Sequence, residues 1–172
     1  MGEIKSTLDL VMERTRHLSL TNEEKARQNL TAFESRLRGL LQKYSDGILS
    51  IDDFQDELAL EQKAHQISSR KLVIKAIFDR VDPHQDNRLW IDLIAKLDLS
   101  LRDPLIEILA DFHQHVADLA RVHGRSYLKD LAANRGIMGS AVVPNLDQDA
   151  DYEKRLSNQQ QETRNRIRSL SG

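Results

Sequence analysis

The sequence predicts an all-α protein: an irregular helical bundle of six to eight helices, an extended C-terminal strap and a terminal helix. Three observations carry that prediction. Apolar residues recur at spacings of three, four and seven along most of the chain. Capping signals stand ahead of the periodic runs. Only 7 glycines and 3 prolines occur in 172 residues, and most of them fall between those runs.

The elements follow in order. Ile4, Leu8, Val11 and Leu18, with Met12 beside them, form the stripe of an opening amphipathic helix. Thr21-Asn22-Glu23-Glu24 reads as a capping box, and the helix after it has the cleanest stripe: Ala26, Leu30, Phe33, Leu37, Leu40, Leu41 and Tyr44. Gly47 ends it through a left-handed turn. Ser50-Ile51-Asp52-Asp53 caps a helix carrying Ile51, Phe54, Leu58, Ala64 and Ile67. Leu72, Val73, Ala76, Ile77 and Val81 mark another, closed by Asp82-Pro83, because the residue before proline avoids helical geometry. After a polar loop to Arg88, a short helix carries Trp90, Leu93, Ile94 and Leu97.

Asp103-Pro104 reads as N-cap and first helical residue. The helix it opens buries Leu105, Ile108, Leu109, Phe112, Val116 and Leu119, and it ends either at Gly124 or at Gly136. The segment from Ile137 to Leu146 lacks helical spacing and reads as an extended strap. A last helix from about Ala150 shows Tyr152, Leu156, Thr163, Ile167 and Leu170. Gln159 and Thr163 interrupt that stripe, so the helix needs a partner to fold. The expected partition is a helical body over 1–136, a strap over 137–149 and a helical arm over 150–172. The expected core is Leu30, Phe33, Leu37, Leu40, Phe54, Leu72, Ile77, Leu109, Phe112, Val116 and Leu119.

Composition removes several functions. With no cysteine, disulfide frameworks, thiolate zinc sites, iron–sulfur clusters and cysteine nucleophiles are excluded, and a reducing cytoplasm is the expected setting. Lys+Arg number 25 against 27 Asp+Glu, a formal charge of −2, which argues against a general nucleic-acid binder. No apolar run approaches the roughly 20 residues of a membrane span, so no membrane partner is expected.

Local motifs fall short of a chemistry. Asp46 to Phe54 resembles the second half of an EF-hand loop, but loop positions one and three would be Gln42 and Tyr44, which supply no carboxylate. Asp82 to Leu89 fails likewise, with Leu93 where the bidentate acid belongs. Glu107, Asp111, His115 and Asp118 share one helix face and are the candidates for a metal or acid–base site. No Glu-x-x-His or His-Glu-x-x-His accompanies them, so the prediction names no metal, no catalytic residue and no cofactor, and reads a solvated face. Gly136-Ile137-Met138-Gly139-Ser140 lacks the strand–turn–helix context of a phosphate loop. Lys154, Arg155, Arg164, Arg166 and Arg168 make the last helix locally basic, yet acids interleave with them, so nucleic acid is not the expected partner. Met1 to Ser6 fits the loose myristoylation pattern and serves equally as a first helical turn.

Gly2-Glu3-Ile4-Lys5-Ser6-Thr7-Leu8 with Met12-Glu13-Arg14-Thr15, and the strap Gly139-Ser140-Ala141-Val142-Val143-Pro144-Asn145-Leu146, resemble a family of small helical bacterial proteins. That resemblance covers a tenth to a fifth of the chain. It implies a bacterial cytoplasmic protein and attaches no activity, ligand or site residue.

Apolar stripes without convergent chemistry lead to a non-enzymatic protein–protein interaction or assembly module. The expected docking residues are Ile137, Met138, Val142, Val143 and Leu146 on the strap with Tyr152, Leu156 and Ile167 on the arm. Exposed, each large apolar side chain costs roughly 1.5–3 kcal/mol relative to burial. The arm therefore docks, preferentially on a second subunit to give a homodimer, otherwise on its own body. The alternatives are an enzyme or metal protein using the Glu107/Asp111/His115/Asp118 face, and a nucleic-acid-associated regulator using the basic last helix.

Overall fold

The computed structural model describes residues 21–139 and 142–172. The opening amphipathic helix, the lipidation pattern and Ser140-Ala141 of the strap lie outside the described residues. Those described form six α-helices and one short 3-10 turn, with no strand among them: α1 (Asn22–Ser45), α2 (Ile51–His65), α3 (Arg70–Phe78), α4 (Arg88–Leu97), α5 (Leu99–Arg135), the 3-10 turn Leu146–Gln148 and α6 (Ala150–Ser169). The all-α prediction is met. The chain divides into two compact units, one up to Ser69 and one from Arg70 onward.

In the first unit both described helices begin as the sequence predicts. Thr21 Oγ1 accepts from the Glu24 amide at 3.2 Å, and Glu24 Oε2 accepts from the Thr21 amide at 2.7 Å. Ser50 and Asp53 reciprocate in the same way, satisfying amides that a helix start leaves without partners. Phe33, Leu37, Leu40, Leu41 and Tyr44 of α1 are buried, as are Phe54 and Leu58 of α2. The Tyr44 and Phe54 rings meet at 5.6 Å. Leu30, expected in the core, is only half-buried, because the first three turns of α1 are solvent-facing. The chain leaves α2 through Gln66 in a left-handed conformation, φ 55°.

In the second unit the start of the long helix differs from expectation. Asp98, not Asp103, is its N-cap: the carboxylate accepts from the Ser100 amide at 3.1 Å. Asp98 also terminates α4, so a single extended residue turns one helix into the next. Pro104 consequently lies inside α5, where its missing N–H forfeits one intrahelical bond.

Gly124 does not interrupt α5, which runs 37 residues to a left-handed Gly136. The helix tolerates Gly124 at a cost of about 1 kcal/mol, and the strap uses the space: a Cβ there would stand 3.5 Å from Pro144 Cγ. The core of this unit is Val73, Ile74, Ile77 and Phe78 of α3, Trp90, Leu93 and Ile94 of α4, and Leu105, Ile108, Leu109 and Phe112 of α5, joined by Ile167 of α6. Leu72, Val116 and Leu119, predicted for the core, are half-buried. The loop before α4 is organised by buried Asn87. Its side-chain amide donates to the Asp82 and Gln85 carbonyls at 2.7 and 2.8 Å, and its oxygen accepts from the Asp82 amide. Both lengths of chain compared with EF-hand loops are therefore joints between helices.

Candidate functional site

The groove between α5 and α6 is the natural place to look for chemistry, and it collects part of the predicted constellation. It holds about 530 Å³ and is lined by Val116, Leu119 and, at its exposed edge, Val122, with His115, Asp118, His123, Arg155, Asn158, Gln159 and Glu162 around them. His115 and Asp118 thus line it, while Glu107 and Asp111 do not.

The predicted face is a row of local partnerships. Asp111 accepts from Arg166 at 3.0 Å. Asp118 accepts from Gln114 at 3.0 Å and pairs with Arg121 at 2.9 Å. His115 Nδ1 lies 2.8 Å from the Asp111 carbonyl. Residues at four-residue spacing share a face but are strung out along the axis. Among the described residues, no three His, Asp or Glu side chains converge to hold a metal ion.

The strongest titratable arrangement is one the sequence reading missed. His123 of α5, 13% exposed, places Nδ1 2.8 Å from Asp149 Oδ2 and Nε2 3.8 Å from Asp151 Oδ2. Asp149 is at the same time the N-cap of α6, its other oxygen accepting from the Asp151 and Tyr152 amides. The His123 hydrogen bond, and after it the Tyr152 amide, hold the Asp149 carboxyl below the usual carboxylate range. The Tyr152 ring meets the imidazole edge-on at 5.6 Å. A carboxylate that orients one imidazole nitrogen resembles the general-base half of a catalytic triad. Here the second nitrogen faces another carboxylate, and no hydroxyl or amine nucleophile lines the groove. The arrangement joins α6 to α5 and serves as a clasp. Asp149 directly ahead of Ala150-Asp151 was a readable cap signal; its pairing with a histidine 26 residues earlier was not.

The basic last helix is also spent on structure. Arg164 pairs with Asp82 at 3.7 Å, Arg166 with Asp111 at 3.0 Å, Arg168 with Asp79 at 3.0 Å, and Arg155 with Asp151 at 2.9 Å.

The docking residues divide. Ile137, Met138 and Val143 are exposed, at 45%, 79% and 85%, and Val142, Leu146, Tyr152 and Leu156 are half-buried. Ile167, expected on a docking surface, is instead 1% exposed, because α6 turns that face into its own unit. No protein-family model, curated protein or solved structure matches this chain.

Proposed function

We propose that the chain is a non-enzymatic helical interaction module that assembles with a second copy of itself through the strap. The observation that carries this reading is the exposure of Ile137, Met138 and Val143 within one short segment beyond α5. A single exposed apolar residue is ordinary on a surface, whereas here three fall within seven positions of chain. Supporting it, the groups that other chemistries would need are engaged elsewhere. His123 is clasped by Asp149, Asp111 is held by Arg166, and Arg164 and Arg168 by Asp82 and Asp79. Among the described residues no helix is long and apolar enough to cross a membrane.

Light scattering over a concentration series tests the reading. The full chain is expected to exceed its monomer mass of 19.7 kDa at high micromolar concentration. The double variant Met138→Asp/Val143→Asp is expected to remain monomeric with an unchanged melting temperature. A full chain that is monomeric throughout overturns the assembly.

A further inference from the structure

Two helical segments of opposite charge each leave an exposed stripe with a four-residue repeat. On α2, Asp52, Asp56 and Leu60 recur at that spacing; beside them Asp53 is bonded to Ser50 and Glu57 pairs with Lys43 at 3.6 Å. Leu60 is 67% exposed, and Asp56 makes no ion pair among the described residues. On the last third of α5, Arg121, Arg125 and Lys129 recur at the same spacing, and Arg135 follows near the helix end. Val122 beside them is 65% exposed and Leu128 36%. Arg125, Lys129 and Arg135 make no ion pair among the described residues, unlike the arginines of α6. Arg121 is itself paired with Asp118 at 2.9 Å, whereas Arg125, Lys129 and Arg135 stand against one acid, Asp130, over residues 122–135 of a chain whose overall charge is −2.

We infer that the Arg121/Arg125/Lys129 stripe of α5 docks the Asp52/Asp56/Leu60 stripe of α2 from a second copy of this chain. Charge complementarity names the occupant. The acidic, apolar-centred helix that this basic face fits is present in the same sequence, and each face presents an exposed aliphatic residue among its charges. Residues four apart on a helix are neighbours on its surface, so two such stripes laid together bring successive opposite charges into register. Opposite potentials steer and orient an encounter, while the apolar residues supply its desolvated centre. The exposed strap residues Ile137 and Met138 follow the basic stripe directly in the chain. A nucleic acid would also meet the cations, but Val122 and Leu128 would then stay in water. This inference rests on the assembly reading above and specifies its contact.

Sedimentation velocity on the full chain at high micromolar concentration tests it, at about 20 and about 300 mM salt, where the screening length falls from about 20 Å to about 6 Å. The wild type is expected to associate at low salt and to weaken roughly tenfold or more at high salt. Arg125→Glu/Lys129→Glu and Asp56→Lys should each sediment as monomers while retaining wild-type helicity and melting. An equimolar mixture of the two should recover association, since each then meets its opposite. Lys71→Glu/Lys75→Glu, which alters net charge on another helix, should behave as wild type. If the wild type associates and both charge variants do so equally, while Met138→Asp/Val143→Asp abolishes it, the assembly reading stands and this contact is wrong. Monomeric wild type in all conditions overturns both, and failure of the mixture to associate overturns the pairing of these two faces.

Discussion

Replacing Thr163 by valine should stabilise the protein. Thr163 is fully buried on α6, one turn before buried Ile167, and its hydroxyl oxygen has no hydrogen-bond partner. A buried polar group left unpaired costs about 1–3 kcal/mol, drawn from the water it lost on folding. Valine has the same branching at Cβ, so the helix places the same restriction on its side-chain rotation. Intrinsic helix preferences of the two residues are nearly equal. The substitution therefore removes the stranded dipole and keeps the shape, and a gain of about 1–2 kcal/mol is expected. For a cooperative unit of this size that corresponds to a rise in Tm of about 4–8 °C. Thr163→Ser is the counterpart: it retains the hydroxyl, deletes a buried methyl and should lose about 1 kcal/mol. Calorimetry and urea titration of both variants provide the measurement, with an unchanged denaturant slope required for a clean comparison. A valine variant less stable than wild type would refute the reasoning, because it would mean the hydroxyl is paired in solution, for example with the carbonyl one turn earlier.

Three further outcomes are expected. Gly124→Ala should stabilise by about 0.5–1 kcal/mol, since the added methyl meets Pro144 Cγ at 3.5 Å, an ordinary contact; a lower Tm would show that the strap sits closer to the helix. Gln66→Gly should gain roughly 1 kcal/mol by relieving a left-handed backbone at φ 55°, and an unchanged denaturation midpoint would count against strain there. Asp149, whose carboxyl is lowered by His123 and the Tyr152 amide, lends stability that is complete above its unfolded value near 4. That stability disappears as pH falls through the lower native value. Asp149→Asn should therefore be less stable than wild type at neutral pH, with the difference narrowing below about pH 4; a difference constant down to pH 3 would remove Asp149 from the acid response.

Much of the secondary structure was legible because its causes are local. Thr21 with Glu24 and Ser50 with Asp53 form their capping boxes across three residues, within reach of pattern alone. The left-handed Gly136 that stops α5 was one of the two stops that the pattern offered. Legibility ended wherever two local signals competed. Asp98 and Asp103 are both acceptable caps; the corner with α4 selected Asp98 and carried Pro104 into the helix. Gly124 is a fair stop signal on its own, but α5 continues through it, with Pro144 of the strap packed close by.

By itself, the sequence determined the helical class, most helix starts and the absence of thiol chemistry, since each follows from nearest neighbours or composition. Tertiary structure decided what the charged residues do. Arg166 meets Asp111 across 55 residues and Arg168 meets Asp79 across 89, converting a basic tail into a set of internal ion pairs. His123, unremarkable in its own helix, acquires its partner only when α6 is laid along α5. A charge pattern states which groups are available, whereas partnership falls off steeply with distance in a screened medium, and only the folded chain brings such groups within reach.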